Sequence, residues 1–114
     1  MELGALTESF YTRALWEDLR RELESRGEKV VLREGRVKVD ESGVDLLVVT
    51  SERVYVVEVK VKPGWEDVGV LLAKADIVAD RYPSLSVVPI LAGALIGRRV
   101  EEYAMSKGVK VYKY

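Results

Sequence analysis

The chain contains no cysteine and no histidine. The first absence excludes disulfide scaffolds, thiolate metal sites and cysteine nucleophiles. The second removes Ser-His-Asp triads, imidazole bases and nearly all zinc chemistry. Asparagine and glutamine are also missing, while 32% of residues are charged. That depletion is the one expected of a heat-adapted protein. No apolar run reaches the roughly 20 residues a membrane span needs. The opening Met-Glu-Leu-Gly lacks a basic region followed by an apolar stretch, so a signal peptide is not expected and a cytoplasmic protein is. Nor is there an excess of positive charge. The 18 basic and 19 acidic residues leave a net charge of −1, so any nucleic-acid contact must come from a local face or an oligomer.

What is present fits one domain. The 114 residues, 48% of them hydrophobic, suffice for one core spanning 1–114. Thr7 is placed to cap a helix running to about Ser25, with Gly27 just past its end. Tyr11, Leu15, Leu19 and Leu23 form its apolar stripe. Two short β pieces follow, Lys29–Arg33 and Arg36–Val39, with Gly35 between them. Val44–Thr50 and Arg53–Lys62 are Val-rich strands. Pro63-Gly64 ends the second, and a helix runs from about Glu66 to Arg81, stopped by Pro83. Ser86–Ala92 reads as a strand whose Pro89 argues for an edge or a bulge. A helix over Gly97–Lys107 and a strand over Val109–Lys113 complete the chain. The expected class is α/β, in the order α-β-β-β-α-β-α-β, with one mixed sheet flanked by helices.

The stretch from Val44 to Lys62 carries the chemistry. An even hairpin loop at Ser51-Glu52 sets Asp45 directly opposite Glu58 on one face. Period two adds Val54, Val56, Lys60 and Lys62 to that face, with Tyr55, Val57, Val59 and Val61 on the other. Two carboxylates and an ammonium thus converge in a Val-rich sheet, where charge must be paired or metal-bound. Hard carboxylate oxygens suit Mg²⁺ or Mn²⁺, and Lys60 is placed to position a nucleophile or neutralise a phosphoryl transition state. The same residues also describe a solvent-exposed hairpin face with Glu58 and Lys60 as ordinary ion-pair partners.

Asp45, followed thirteen positions later by Glu58-Val59-Lys60 on an adjacent strand, resembles the PD-(D/E)xK, or restriction-endonuclease-like, nuclease superfamily. The hairpin is similar to that of archaeal Holliday-junction resolvases. From Val87 onward the sequence resembles uncharacterised archaeal members of the superfamily. The usual Pro before the Asp is Val44 here, and the second helix has no Gln. The resemblance implies Asp45 and Glu58 as metal-binding acids and Lys60 as the catalytic lysine of a Mg²⁺-dependent endonuclease acting on DNA. It also implies a Glu from the first helix, for which Glu8, Glu17 and Glu22 are candidates. Glu8 and Glu22 lie within about 20° of the apolar stripe and Glu17 about opposite it. Glu8 is the choice, as a further catalytic and metal-binding acid. The competing view is that it merely complements the helix dipole.

Lys62, Lys74, Arg98 and Arg99 are candidates to track a nucleic-acid backbone, or else ordinary solvated charges. Trp16, Trp65 and Val87–Ile96 are candidates for a homodimer patch, or else monomer core. The alternative function is a non-catalytic nucleic-acid-binding or subunit module that retains the fold.

Overall fold

The computed structural model describes residues 3–114, with side chains from Leu6 onward. Helix α1 spans Leu3–Arg26, strands β1, β2 and β3 span Val30–Val39, Ser42–Thr50 and Arg53–Val59, and helix α2 spans Trp65–Arg81. Strand β4 covers Ser86–Gly93, α3 Arg98–Ser106 and β5 Lys110–Lys113. The element order is the expected one. The five strands form one sheet in the order β1-β2-β3-β4-β5. The first three make an antiparallel meander, and β4 and β5 add in parallel through α2 and α3.

Helix α1 lies on one face. Its stripe Leu15, Leu19 and Leu23 packs on Leu46, Val48, Tyr55 and Val57 of the sheet. The other face carries Leu47, Val49, Val54 and Val56 under Val68, Leu71 and Val78 of α2 and Ala104 of α3. Strand β3 is therefore covered on both sides, which explains its near-continuous Val run. Glycines end two of the helices. Gly27 and Gly108 have φ of 67° and 81°. In each case the next residue's N–H returns to the helix, from Glu28 to Leu23 O and from Val109 to Ala104 O, both at 2.9 Å.

The structure corrects several local expectations. Thr7 does not cap α1, because Leu3, Ala5 and Leu6 are good helix formers and carry the helix past it. The two β pieces are one strand, β1, with an irregularity between Val30 and Leu32 and a left-handed residue, Arg36, at φ 50°. Strand β3 stops at Val59, so Lys60 and Lys62 lie beyond it and the period-two argument does not reach them. Pro89 pairs with Val56 on an internal strand. It is tolerated because β5 accompanies β4 only from Ile90 to Gly93, leaving β4 locally outermost at Pro89. Ile90, Leu91, Ala92 and Gly93 are buried within the monomer, so the expected Val87–Ile96 dimer patch is mostly core. No helix of the described residues is long and apolar enough to cross a membrane.

Candidate active site

The β2–β3 ladder pairs Leu46 with Val57 and Val49 with Val54. Continued by one residue, that register sets Asp45 opposite Glu58, as the even loop requires. The loop is built by Thr50, whose Oγ1 accepts the N–H groups of Glu52 and Arg53 at 3.1 and 2.9 Å. At the other end of the ladder, the N–H of Val59 donates to Asp45 Oδ2 at 2.7 Å. Asp45 thus holds the end of β3 and fixes its own orientation beside Glu58.

Glu58 is buried, 6% exposed. From α2, Lys74 Nζ donates to Glu58 Oε2 at 2.6 Å. Burial, then the hydrogen-bonded Asp45 carboxylate, push Glu58 up to about 7, and Lys74 opposes them only in part. Two carboxylates sharing one site cannot both ionise freely. This is the environment that a hard divalent cation relieves, and the oxygen donor set fits Mg²⁺ or Mn²⁺.

Both carboxylates open onto a cavity of about 910 Å³. Its lining includes Glu8 from α1, Arg36 and Lys38 from β1, and Lys60 after β3. Asp67, Val70 and Lys74 of α2 complete one wall. Lys60 is exposed, and its backbone is anchored by an N–H bond to Ala92 O at 3.0 Å. That approach needs Gly93: a Cβ there would collide with the Lys60 carbonyl oxygen.

The four leading sequence candidates, Asp45, Glu58, Lys60 and Glu8, line one cavity. Among the described residues, however, no three Asp or Glu side chains form a metal-holding group. Glu8 lines the cavity without joining the Asp45–Glu58 pair as a third ligand. Glu17 instead pairs with Arg20 at 2.8 Å, and Glu22 with Lys110 and Tyr112. Lys62 is exposed outside the cavity lining, as are Arg98, paired with Glu102, and Arg99. Lys74 is engaged by Glu58 rather than free to track a backbone. Sequence reasoning does not give it this role, although a signal is present. Lys74 follows Leu71 by three and precedes Val78 by four, which puts it on the buried stripe. Arg36 and Lys38 also escape sequence reasoning, because Gly35 has the look of a break between two strands.

No protein-family profile matches the sequence, and no curated protein matches it. The fold does match solved structures, and it is an endonuclease-like α/β fold. A repair endonuclease from Pyrococcus abyssi superposes with a TM-score of 0.70 at 18% identity, over 93% of this chain and 46% of that one. EndoMS in an EndoMS–dsDNA2 complex gives 0.62 at 18% identity, over 76% of this chain and 36% of that one. EndoMS in its apo form gives 0.55 at 20% identity, over 77% and 38%. The chain spans less than half the length of each of these proteins.

Proposed function

We propose that the protein is a metal-dependent endonuclease of the PD-(D/E)xK type that hydrolyses DNA phosphodiester bonds. The carrying observation is the Asp45–Glu58 pair: two carboxylates held side by side at a cavity, one of them raised to about 7. Support comes from the two endonucleases of like fold, one of them solved with DNA.

Asp45 and Glu58 would hold Mg²⁺ or Mn²⁺, with Glu8 lining the same cavity. The chemistry such a cation supplies is Lewis acidity toward a phosphoryl oxygen and a water. The chain's own residues do the rest. Asp45 is locked in place by the Val59 N–H. Lys74 holds Glu58 in position from α2. Lys60, set at the rim by the Gly93 approach, neutralises the charge that builds on the phosphoryl oxygens. A water oxygen adds to phosphorus as it gives up a proton to solvent, the bond from phosphorus to the leaving oxygen breaks, and that oxygen takes up a proton from solvent, so that one water is added across the bond.

One observation favours the second reading, a non-catalytic module. Lys74 at 2.6 Å already gives Glu58 a counter-charge without any metal. Incubating the protein with labelled linear, branched and single-stranded DNA and Mg²⁺ separates the two. Cleavage that Asp45→Ala abolishes supports the nuclease, and binding without cleavage supports the module. A homodimer belongs to the same proposal, with Trp65, 51% exposed, and Leu95, 62% exposed, as the remaining apolar contacts. A light-scattering mass near 12.8 kDa at high concentration would overturn it.

A further inference from the structure

The net charge of −1 conceals an uneven distribution of unpaired cations. Elsewhere on the molecule most basic side chains are neutralised by carboxylates: Arg20 by Glu17 and Glu24, Arg53 by Glu28, Arg81 by Asp40, Lys110 by Glu22. Arg13, Arg33, Arg36, Lys38 and Lys60 form no ion pair among the described residues. All five line the large cavity or a second one of about 300 Å³ beside it. The two cavities share Ser9, Thr12 and Gly35, so they form one groove between the N-terminal half of α1 and β1. The second cavity has no acidic residue in its lining.

The groove has built features as well as charge. Arg36 sits between the Gly35–Leu46 and Val37–Val44 pairs with φ 50°, and this bend directs its guanidinium across to Ser9 Oγ at 2.8 Å. At the far end, the Arg33 guanidinium lies 4.9 Å from the centre of the Trp16 ring. Trp16 is half-buried, so its ring has a set place in the groove wall, and the exposed Arg33 guanidinium lies against it. Planar guanidinium and aromatic groups beside unpaired cations recognise unstacked bases joined by phosphates. A duplex offers phosphates but keeps its bases stacked, and has no use for the Trp16–Arg33 surface.

We infer that this groove binds one single-stranded segment of polynucleotide. Its phosphates run along Arg36, Lys38 and Arg13, with a base against the Trp16–Arg33 pair. The inference deepens the nuclease reading, since the segment leads to the Asp45–Glu58 pair, and it rests on that reading for its catalytic meaning. It also replaces the sequence-based choice of Lys62, Arg98 and Arg99 as the main phosphate contacts.

The test uses a Trp65→Phe background, which leaves Trp16 as the reporting indole. Labelled oligothymidylate and oligouridylate of about a dozen nucleotides, and a duplex of equal length, are titrated by anisotropy in EDTA across a salt series. Single strands should bind and quench Trp16. The Arg33→Ala/Lys38→Ala variant should bind at least tenfold more weakly. Its salt slope should fall by about 0.7, since Lys38 is the phosphate contact it removes and each single-strand phosphate that a cation neutralises adds roughly 0.7 to the slope. Lys29→Ala/Lys107→Ala should match the parent. Arg33→Lys/Lys38→Arg should keep the salt slope while weakening the Trp16 response. An unchanged slope in the alanine variant, no Trp16 quenching, or tighter binding of the duplex would overturn the inference. Either sugar suffices to support it, and the pair of oligonucleotides shows which is preferred. Asp45→Asn is measured in parallel. Groove binding with no cleavage by any form of the protein sinks the nuclease reading and leaves the groove standing. Cleavage without groove dependence does the reverse.

Discussion

Lys74 reaches from α2 to within 2.6 Å of Glu58, and it is the only cation hydrogen-bonded to that buried carboxylate among the described residues. The pair bridges the helix and the central strand at the cavity wall. Removing the ammonium leaves a buried carboxylate that must either protonate or stay charged without a partner. Lys74→Met should therefore destabilise the metal-free protein by about 1–3 kcal/mol at pH 8. The loss should shrink near pH 6, where Glu58 takes up a proton. Urea melts at the two pH values check this, and an equal loss at both would contradict it.

Metal should act in the opposite direction. Mn²⁺ or Mg²⁺ bound only by the native state raises the melting temperature by mass action. Asp45→Ala and Glu58→Ala should each abolish the rise. Asp45→Asn should raise the metal-free melting temperature, because it removes the like charge beside Glu58. A wild-type protein whose melting temperature ignores both cations removes the main support for the nuclease reading.

The pH profile of metal-free stability should have two limbs. Glu58 is raised from 4.5 to about 7, so between those values the native state holds a proton that the unfolded chain has released. Stability should fall as pH rises through that window, and Glu58→Gln should flatten the fall. Glu28 behaves inversely. Burial pushes its carboxyl up, but hydrogen bonds from Thr50 and Tyr55, with the charge of Arg53, outweigh burial and hold it below its ordinary value. Its contribution is present above the unfolded value and lost as pH falls through the folded one. Denaturant titrations from pH 3 to 8 read both limbs.

The β1–β2 turn should be improvable. Val39 pairs with Ser42, leaving Asp40 and Glu41 as a two-residue loop with φ of 47° and 72°. Both positions are left-handed, where an L side chain is strained and glycine is not. Glu41→Gly should stabilise the protein by about 0.5–1 kcal/mol, read as a shift in the denaturation midpoint. Asp40 is the poorer target because it pairs with Arg81 at 2.6 Å.

Gly93→Ala should do more damage than its single methyl group suggests. The new Cβ would collide with the Lys60 carbonyl, so either β4 or the Lys60 backbone must shift. A stability loss of about 1–3 kcal/mol is expected, as for other overpacked sites. Cleavage should fall further than stability at temperatures where the variant remains folded, because Lys60 moves with its backbone.

The hairpin carrying Asp45 and Glu58 is legible in the sequence because an even loop and a period of two leave little freedom in register. The Val-rich β3 announces its burial, and Gly27 and Gly108 mark helix ends by a conformation that glycine adopts without strain. Less legible features depend on neighbours distant in sequence. Lys60 and Lys62 continue the alternation on paper, but the ladder ends at Val59, where Lys60 turns to bond Ala92. Gly35 looks like a break, yet β2 supplies hydrogen bonds along the whole of β1 and carries the strand through it. That Lys74 meets Glu58 follows from how α2 crosses the sheet, which periodicity within α2 alone does not reveal.

Burial of β3 on both faces has a kinetic consequence. Its amides lie between two strands and beneath helices on either side, so they should exchange with solvent only when the sheet itself opens. Strand β1 has only β2 beside it and is exposed along most of its length, and it can fray at much lower cost. The carboxylate pair thus sits against a strand expected to open slowly, while one wall of the groove is an edge strand expected to open more readily. If the inferred polynucleotide strand binds there, breathing of that wall would admit and release it while Glu58 keeps its place on β3.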